Sequence, residues 1–98
     1  MQQPIASGAI TIELPSALRS LAGNAHSVGA SGATVGEALA DLGRTHPLLL
    51  RRILTRGGQL RPHVNLFVNE QDIRRQDGLD TALRPGDTVL VVPSVAGG

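Results

Sequence analysis

Thr88-Val89-Leu90-Val91-Val92-Pro93-Ser94-Val95-Ala96-Gly97-Gly98 is an apolar, β-branched run followed by a tail of small residues. The run to Pro93 reads as a strand. The tail reads differently. Glycine loses the most conformational freedom on ordering and has no side chain to bury, so a terminal pair adds little to a folded domain. It suits a segment threaded into another protein so that its terminal carboxylate can be worked on. A frayed C-terminus is the plainer alternative, and the two glycines alone leave both readings open.

Working back from this strand, Arg84-Pro85-Gly86-Asp87 is a tight turn, with proline at its second position and glycine at its third, as a type II geometry favours. Val64 to Asn69 is the clearest strand: Val64, Leu66 and Val68 face one way, and Asn65, Phe67 and Asn69 the other. A turn begins at Asn69-Glu70, Ile73 is expected in a brief fourth strand, and Asp80 to Leu83 in a short helical turn. Nearer the N-terminus, Ile10, Ile12 and Leu14 alternate with polar residues as in a half-buried strand that Pro15 ends. Ser16 to Asn24 reads as a connection, and His26 to Ala30 as the return arm of a hairpin.

Thr34-Val35-Gly36-Glu37 has the form of a capping box, in which Glu37 would reach back to the amide of Thr34. Val35, Ala38, Leu39 and Leu42 follow at helical spacing, and the helix should stop near Gly43 or His46, before Pro47. Leu48 to Leu54 adds a short helical turn carrying Arg51 and Arg52 outward, before Gly57-Gly58. Strands around one principal helix make an α+β layer architecture. With the first and last strands side by side at the centre, the expected fold is a β-grasp (ubiquitin-like): a mixed sheet of four to five strands packed on one main helix, with a flexible C-terminal Gly-Gly tail. The expected organisation is a flexible segment over 1–8, the folded domain over 9–93 and the tail over 94–98.

Composition excludes several chemistries. The 98 residues suffice for one domain. With no cysteine there is no disulfide, thiolate metal site or cysteine nucleophile. All nine basic residues are arginine, which removes a lysine nucleophile and a P-loop lysine. Phe67 is the one aromatic residue, so the core must be built from Val, Leu, Ile and Ala. A formal net charge of only +1, and no aromatic among the loosely clustered Arg51, Arg52, Arg56 and Arg61, argue against nucleic-acid binding. No apolar stretch would span a bilayer, and residues 1–9 lack the pattern of a signal peptide, so a cytoplasmic location is expected.

No internal catalytic constellation emerges. Gly29, Gly32 and Gly36 match neither GxGxxG nor the P-loop spacing, and read as a flexible strand-to-helix connection. His26, His46 and His63 are scattered, without ligand spacing for zinc. Glu70 and Asp72 lie in a turn, and no serine sits in a nucleophile-elbow context. Phe67 stands out. If Val64, Leu66 and Val68 face the helix, Phe67 lies on the opposite sheet face beside Leu90 and Val92, an apolar cluster suited to a partner. The alternative is that the segments 16–24 or 52–62 fold over it.

Taken together, the tail from Val92 to Gly98, the turn before Thr88 and the strand Val64 to Asn69 resemble the ubiquitin-like sulfur carriers of the ThiS/MoaD family. The resemblance spans Ile10 to Gly98. It is closest to the longer CysO-type carriers of cysteine biosynthesis, which also have extra residues where this chain has Thr55 to His63. It implies a protein-bound co-substrate, with no cofactor of its own. An E1-like adenylating and sulfur-transfer enzyme, using ATP and magnesium, would activate Gly98 and convert it to a thiocarboxylate, with Gly97, Ala96 and Val95 forming the access arm. A cysteine-synthase-like enzyme would then accept the sulfur, with a metalloprotease as a further partner. Three other readings stay open: the small subunit of molybdopterin synthase, a carrier serving a sulfur-containing secondary metabolite, and a ubiquitin-like modifier or interaction module without a sulfur role.

Overall fold

The computed structural model describes residues 9–93. The expectations for segment 1–8 and for the tail 94–98, including Val95, Ala96, Gly97 and Gly98, lie outside the described residues. Five strands form one mixed sheet: β1 (Ile10–Glu13), β2 (Ser27–Ala30), β3 (Val64–Val68), β4 (Gln71–Asp72) and β5 (Thr88–Pro93), in spatial order β2-β1-β5-β3-β4. β1 and β5 run parallel side by side, and the neighbouring pairs are antiparallel. This is the β-grasp arrangement.

One face of the sheet is apolar because of period-2 patterning. Ile10 and Ile12 of β1, Val64, Leu66 and Val68 of β3, and Val89 and Val91 of β5 are buried there. The main helix α2 (Val35–Thr45) lays Val35, Ala38, Leu39 and Leu42 against them. Removing each of these leucines from water contributes about 1.5–3 kcal/mol. Every buried hydrophobic residue is Ile, Leu, Val or Ala, as a chain with one phenylalanine requires.

Local chemistry sets the ends of α2. The Thr34 hydroxyl accepts from the Glu37 amide at 3.2 Å. The Glu37 carboxylate, however, accepts from the Ala33 amide at 2.8 Å, not from Thr34. Thr34 is held extended by its bridge to Ala82, which leaves the Ala33 amide within reach. At the other end the chain breaks at His46, since a residue before proline disfavours the helical region. Pro47 then opens α3 (Pro47–Ile53) at a position where no amide is needed. α3 buries Leu49 and Ile53 and leaves Arg51 and Arg52 exposed.

Three connections differ from the sequence expectation. The 16–24 segment is helical, with α1 (Ser16–Arg19) and a 3-10 turn (Ser20–Ala22), and its Leu18 and Leu21 pack on the core. Ile73 is not in a strand. It opens a 3-10 turn (Ile73–Arg75) because the Asp72 carboxylate captures the Arg74 amide at 2.9 Å. The second turn is Gly78–Asp80 rather than Asp80 to Leu83. There the buried Thr81 hydroxyl donates to the Gly78 carbonyl at 2.7 Å, and the Leu83 amide bonds Ala33 at 2.9 Å, which extends the chain beyond Asp80.

Candidate functional site

β5 carries the strand from which residues 94–98 continue. Thr88, Val89 and Leu90 pair with β1 on one side, while Val91, Val92 and Pro93 pair only with β3. The last of these pairs joins Pro93 to Val64. Val91 is nearly fully buried, so the strand is held in the core two residues before it reaches the sheet's end.

The start of β5 is fixed by a polar clamp. Asp87 closes the expected turn: its amide donates to the Arg84 carbonyl at 3.0 Å, and Gly86 has the positive φ (94°) that a type II turn requires. The Asp87 carboxylate accepts from the Arg84 amide at 2.8 Å and from the Asn69 side-chain amide at 2.9 Å. The Asn69 side-chain oxygen accepts from the Thr88 amide at 3.1 Å. These donors hold the Asp87 carboxyl below the usual carboxylate range: the Arg84 amide contributes most, then Asn69, with the Arg84 charge a smaller effect. Asn69 and Glu70 both have positive φ (48° and 78°) between paired Val68 and Gln71, a two-residue hairpin of type I′.

The outer face of the sheet brings together the apolar residues expected there. Phe67 lies directly across from Leu90, and Val92 lies across from Asn65. Leu90 is 38% exposed, and Phe67 and Val92 are half-buried. None of the three packs with the core cluster. The segments that could have covered them turn inward instead: Leu18, Leu21, Leu54 and Leu60 all pack against the core. Along the row, Glu13 neighbours Leu90 and Asp72 neighbours Phe67, so an apolar ridge has a carboxylate at each side. Shallow hollows of about 430 and 530 Å³ border the ridge, the first lined by Glu13, Asn69, Thr88 and Leu90, the second by Phe67, Asp72 and Arg75.

Among the loosely clustered arginines, Arg51, Arg52 and Arg61 line one open hollow of about 330 Å³ together with His63. Arg56 stands apart from it, in a groove beside Leu50, Leu54 and Gly58. Among the described residues no group of three or more histidines, cysteines or carboxylates could hold a metal ion. No helix among them is long and apolar enough to cross a membrane.

Two structural roles were not recognised in the sequence. Gly32 is more than a flexible joint: a Cβ there would lie 2.5 Å from the Ala38 nitrogen and 2.8 Å from the Glu37 carbonyl carbon. The loop runs against the backbone of α2, and the only signal was glycine itself. The coupling of Asn69 to Asp87 spans eighteen residues, which no local pattern reveals.

Comparison with known proteins supplies the family context. The profile of the ThiS family matches residues 12–98. The sulfur carrier protein CysO of Mycobacterium tuberculosis is 38% identical over 91 residues, which cover 91% of this chain and 98% of that one. Small archaeal modifier protein 3 of Haloferax volcanii is 42% identical over 66 residues, 67% of this chain and 71% of that one. Among solved structures, the Amycolatopsis orientalis BexX/CysO complex contains a chain that matches with a TM-score of 0.83 at 37% identity, covering 91% of this chain and 99% of that one.

Proposed function

The chain belongs to the ThiS family, and from that premise we propose that it is a sulfur carrier, a protein-bound reagent rather than a catalyst. The family match, which runs through residue 98, carries this reading. A free α-carboxyl has a pKa of about 3.5, so at neutral pH the Gly98 carboxylate is ionised and resists nucleophilic attack. An E1-like enzyme supplies ATP and magnesium. The carboxylate oxygen attacks the α-phosphate, and pyrophosphate leaves. A sulfur donor then attacks the acyl adenylate, AMP leaves, and a thiocarboxylate remains. Glycine leaves that carbonyl unshielded and lets Gly97, Ala96 and Val95 follow a narrow channel.

In the same reading Phe67, Leu90 and Val92 dock the activating enzyme. A half-buried aromatic residue beside aliphatic neighbours offers a large apolar anchor for such a contact. The favoured sulfur acceptor is a cysteine-synthase-like enzyme, with a metalloprotease releasing the product. The likeness to CysO over nearly its full length supports this, as does the inserted stretch after α3, closed by the Leu54–Leu60 bridge. The likeness to a small archaeal modifier protein favours a second reading, conjugation through Gly98 to other proteins.

Intact-mass spectrometry after incubation with ATP, an activating enzyme and a sulfide source separates these readings. A carrier gains the mass of sulfur in place of one oxygen. A modifier appears attached to other proteins instead, and an unmodified chain with its cognate enzyme refutes both. Deleting Gly98 should abolish the mass gain and leave the unfolding temperature unchanged.

A further inference from the structure

Gly98 is the fifth residue after Pro93, and an extended chain of that length reaches about 17 Å at most. On the carrier reading, on which this inference rests, any enzyme that works on Gly98 must therefore bring its surface against the Val64–Pro93 end of the sheet. That end is surrounded by positive charge. Arg61 lies three residues before Val64, and its carbonyl accepts from the Val64 amide at 3.1 Å. The Arg61 side chain donates to the Arg51 carbonyl at 2.7 Å, which ties the inserted segment to the end of α3. The Arg74 guanidinium donates to the Val64 carbonyl at 3.0 Å and to the side chain of Asn65, the residue paired with Val92. Arg51, Arg52 and Arg61 line the hollow of about 330 Å³ beside His63. Among the described residues the one salt bridge is Arg44–Asp41, on α2, and none of these three arginines is paired with a carboxylate of a described residue.

We propose that Arg51, Arg52, Arg61 and Arg74 form a basic collar around the root of the tail, and that it docks on an acidic rim at the mouth of the enzyme channel that receives Gly98. A protein partner fits better than a nucleic acid. Nucleic-acid surfaces add stacking aromatics to positive charge, and the one aromatic residue, Phe67, faces Leu90 in the apolar ridge and does not line the hollow of Arg51, Arg52 and Arg61. A charged rim outside a fixed apolar contact acts mainly by steering the encounter and setting register. It therefore complements the ridge of Phe67 and Leu90.

The test titrates the full chain with its cognate adenylating enzyme by calorimetry at several NaCl concentrations. Wild-type affinity should fall as salt rises. Arg51→Glu with Arg52→Glu should weaken binding about tenfold at low salt and flatten the salt dependence. Arg51→Gln with Arg52→Gln should do the same to a smaller degree, without disturbing the last turn of α3. At saturating enzyme, both double variants should still acquire the thiocarboxylate mass. Unchanged affinity and salt dependence in both would overturn the collar, whereas a wild type that binds with salt dependence but never gains sulfur would overturn only the carrier reading. Oligouridylate that binds the collar more tightly than the enzyme does would also overturn the proposal.

Discussion

Leu66 and Phe67 are adjacent in β3 but point to opposite faces, which makes them a matched pair for separating folding from docking. Leu66 has no exposed surface and packs in the core. Truncating it to alanine should cost about 2–5 kcal/mol, the range for a buried leucine. Phe67 makes no core contact, and its direct partner is Leu90, itself 38% exposed. Phe67→Ala should therefore lose chiefly a cross-strand pair, about 0.2–1 kcal/mol. In a domain of this size 1 kcal/mol shifts the unfolding temperature by roughly 4–8 °C. Thermal unfolding followed by circular dichroism should then show a small shift for Phe67→Ala and a several-fold larger one for Leu66→Ala.

The order should invert for activation. If Phe67 anchors the contact with the adenylating enzyme, its truncation should cost about 2 kcal/mol of binding, or roughly thirtyfold in the affinity or kcat/KM of adenylation. Alanine is a better probe than aspartate here, because Asp72 lies directly across the strand from Phe67 and would repel a new carboxylate. Pyrophosphate release at limiting carrier concentration measures the effect. Equal activation by wild type and Phe67→Ala would remove the ridge from the docking surface. A stability loss as large as that of Leu66→Ala would place Phe67 in the core and refute the facing argument.

Gly32→Ala should destabilise the domain by about 1–3 kcal/mol in urea unfolding, because the new methyl meets the backbone of α2 rather than a movable side chain. Asp87→Asn should cost about 1 kcal/mol at neutral pH, since one of its two accepting oxygens becomes a donor. The depressed pKa of Asp87 fixes the sign of the pH effect: the stabilisation is complete above the unfolded-state pKa of about 3.9 and is lost as pH falls through the lower folded value, so Asp87→Asn should flatten that acid limb. Glu70→Gly should raise stability by up to about 1 kcal/mol, because Glu70 adopts a φ of 78° that L-residues disfavour; unchanged or lower stability would mean that the glutamate side chain offsets this strain.

What the sequence made legible was short-range and periodic. The alternation in Val64–Val68 and Thr88–Pro93 predicted which side chains meet the helix, and the structure buries Val64, Leu66, Val68, Val89 and Val91 accordingly. The same alternation placed Phe67, Leu90 and Val92 on the outer face, where they lie. The helix over Val35–Thr45 followed from spacing, cap and Pro47 together. Less legible were the segments governed by contacts distant in sequence. The fate of Ser16 to Asn24 depended on whether Leu18 and Leu21 could reach the core, and they do. The path after Ile73 combined local bonds, from the Arg74 amide to Asp72 and from the Thr81 hydroxyl to Gly78, with a distant one from the Val35 amide to the Thr81 carbonyl.

Such long-range contacts also explain how one strand can be both structural and presenting. β5 is the central strand, and its buried Val89 and Val91 lock it into the core from the side facing α2. Its entry is fixed by the clamp of Asp87, Asn69 and Thr88, and its far end by pairing with β3 up to Val64. Residues 94–98 thus start from a point that the whole domain holds in place. On the proposed function, the outer surface of the same strand would supply Leu90 and Val92 for contact, and the arginines around Val64 would supply charge. A partner that recognises the ridge and the collar has thereby located the root of the tail. On the proposed function, orientation need not be encoded in the tail's own sequence, so that segment is free to end on Ala96, Gly97 and Gly98, the small residues that passage to an enclosed active site would favour.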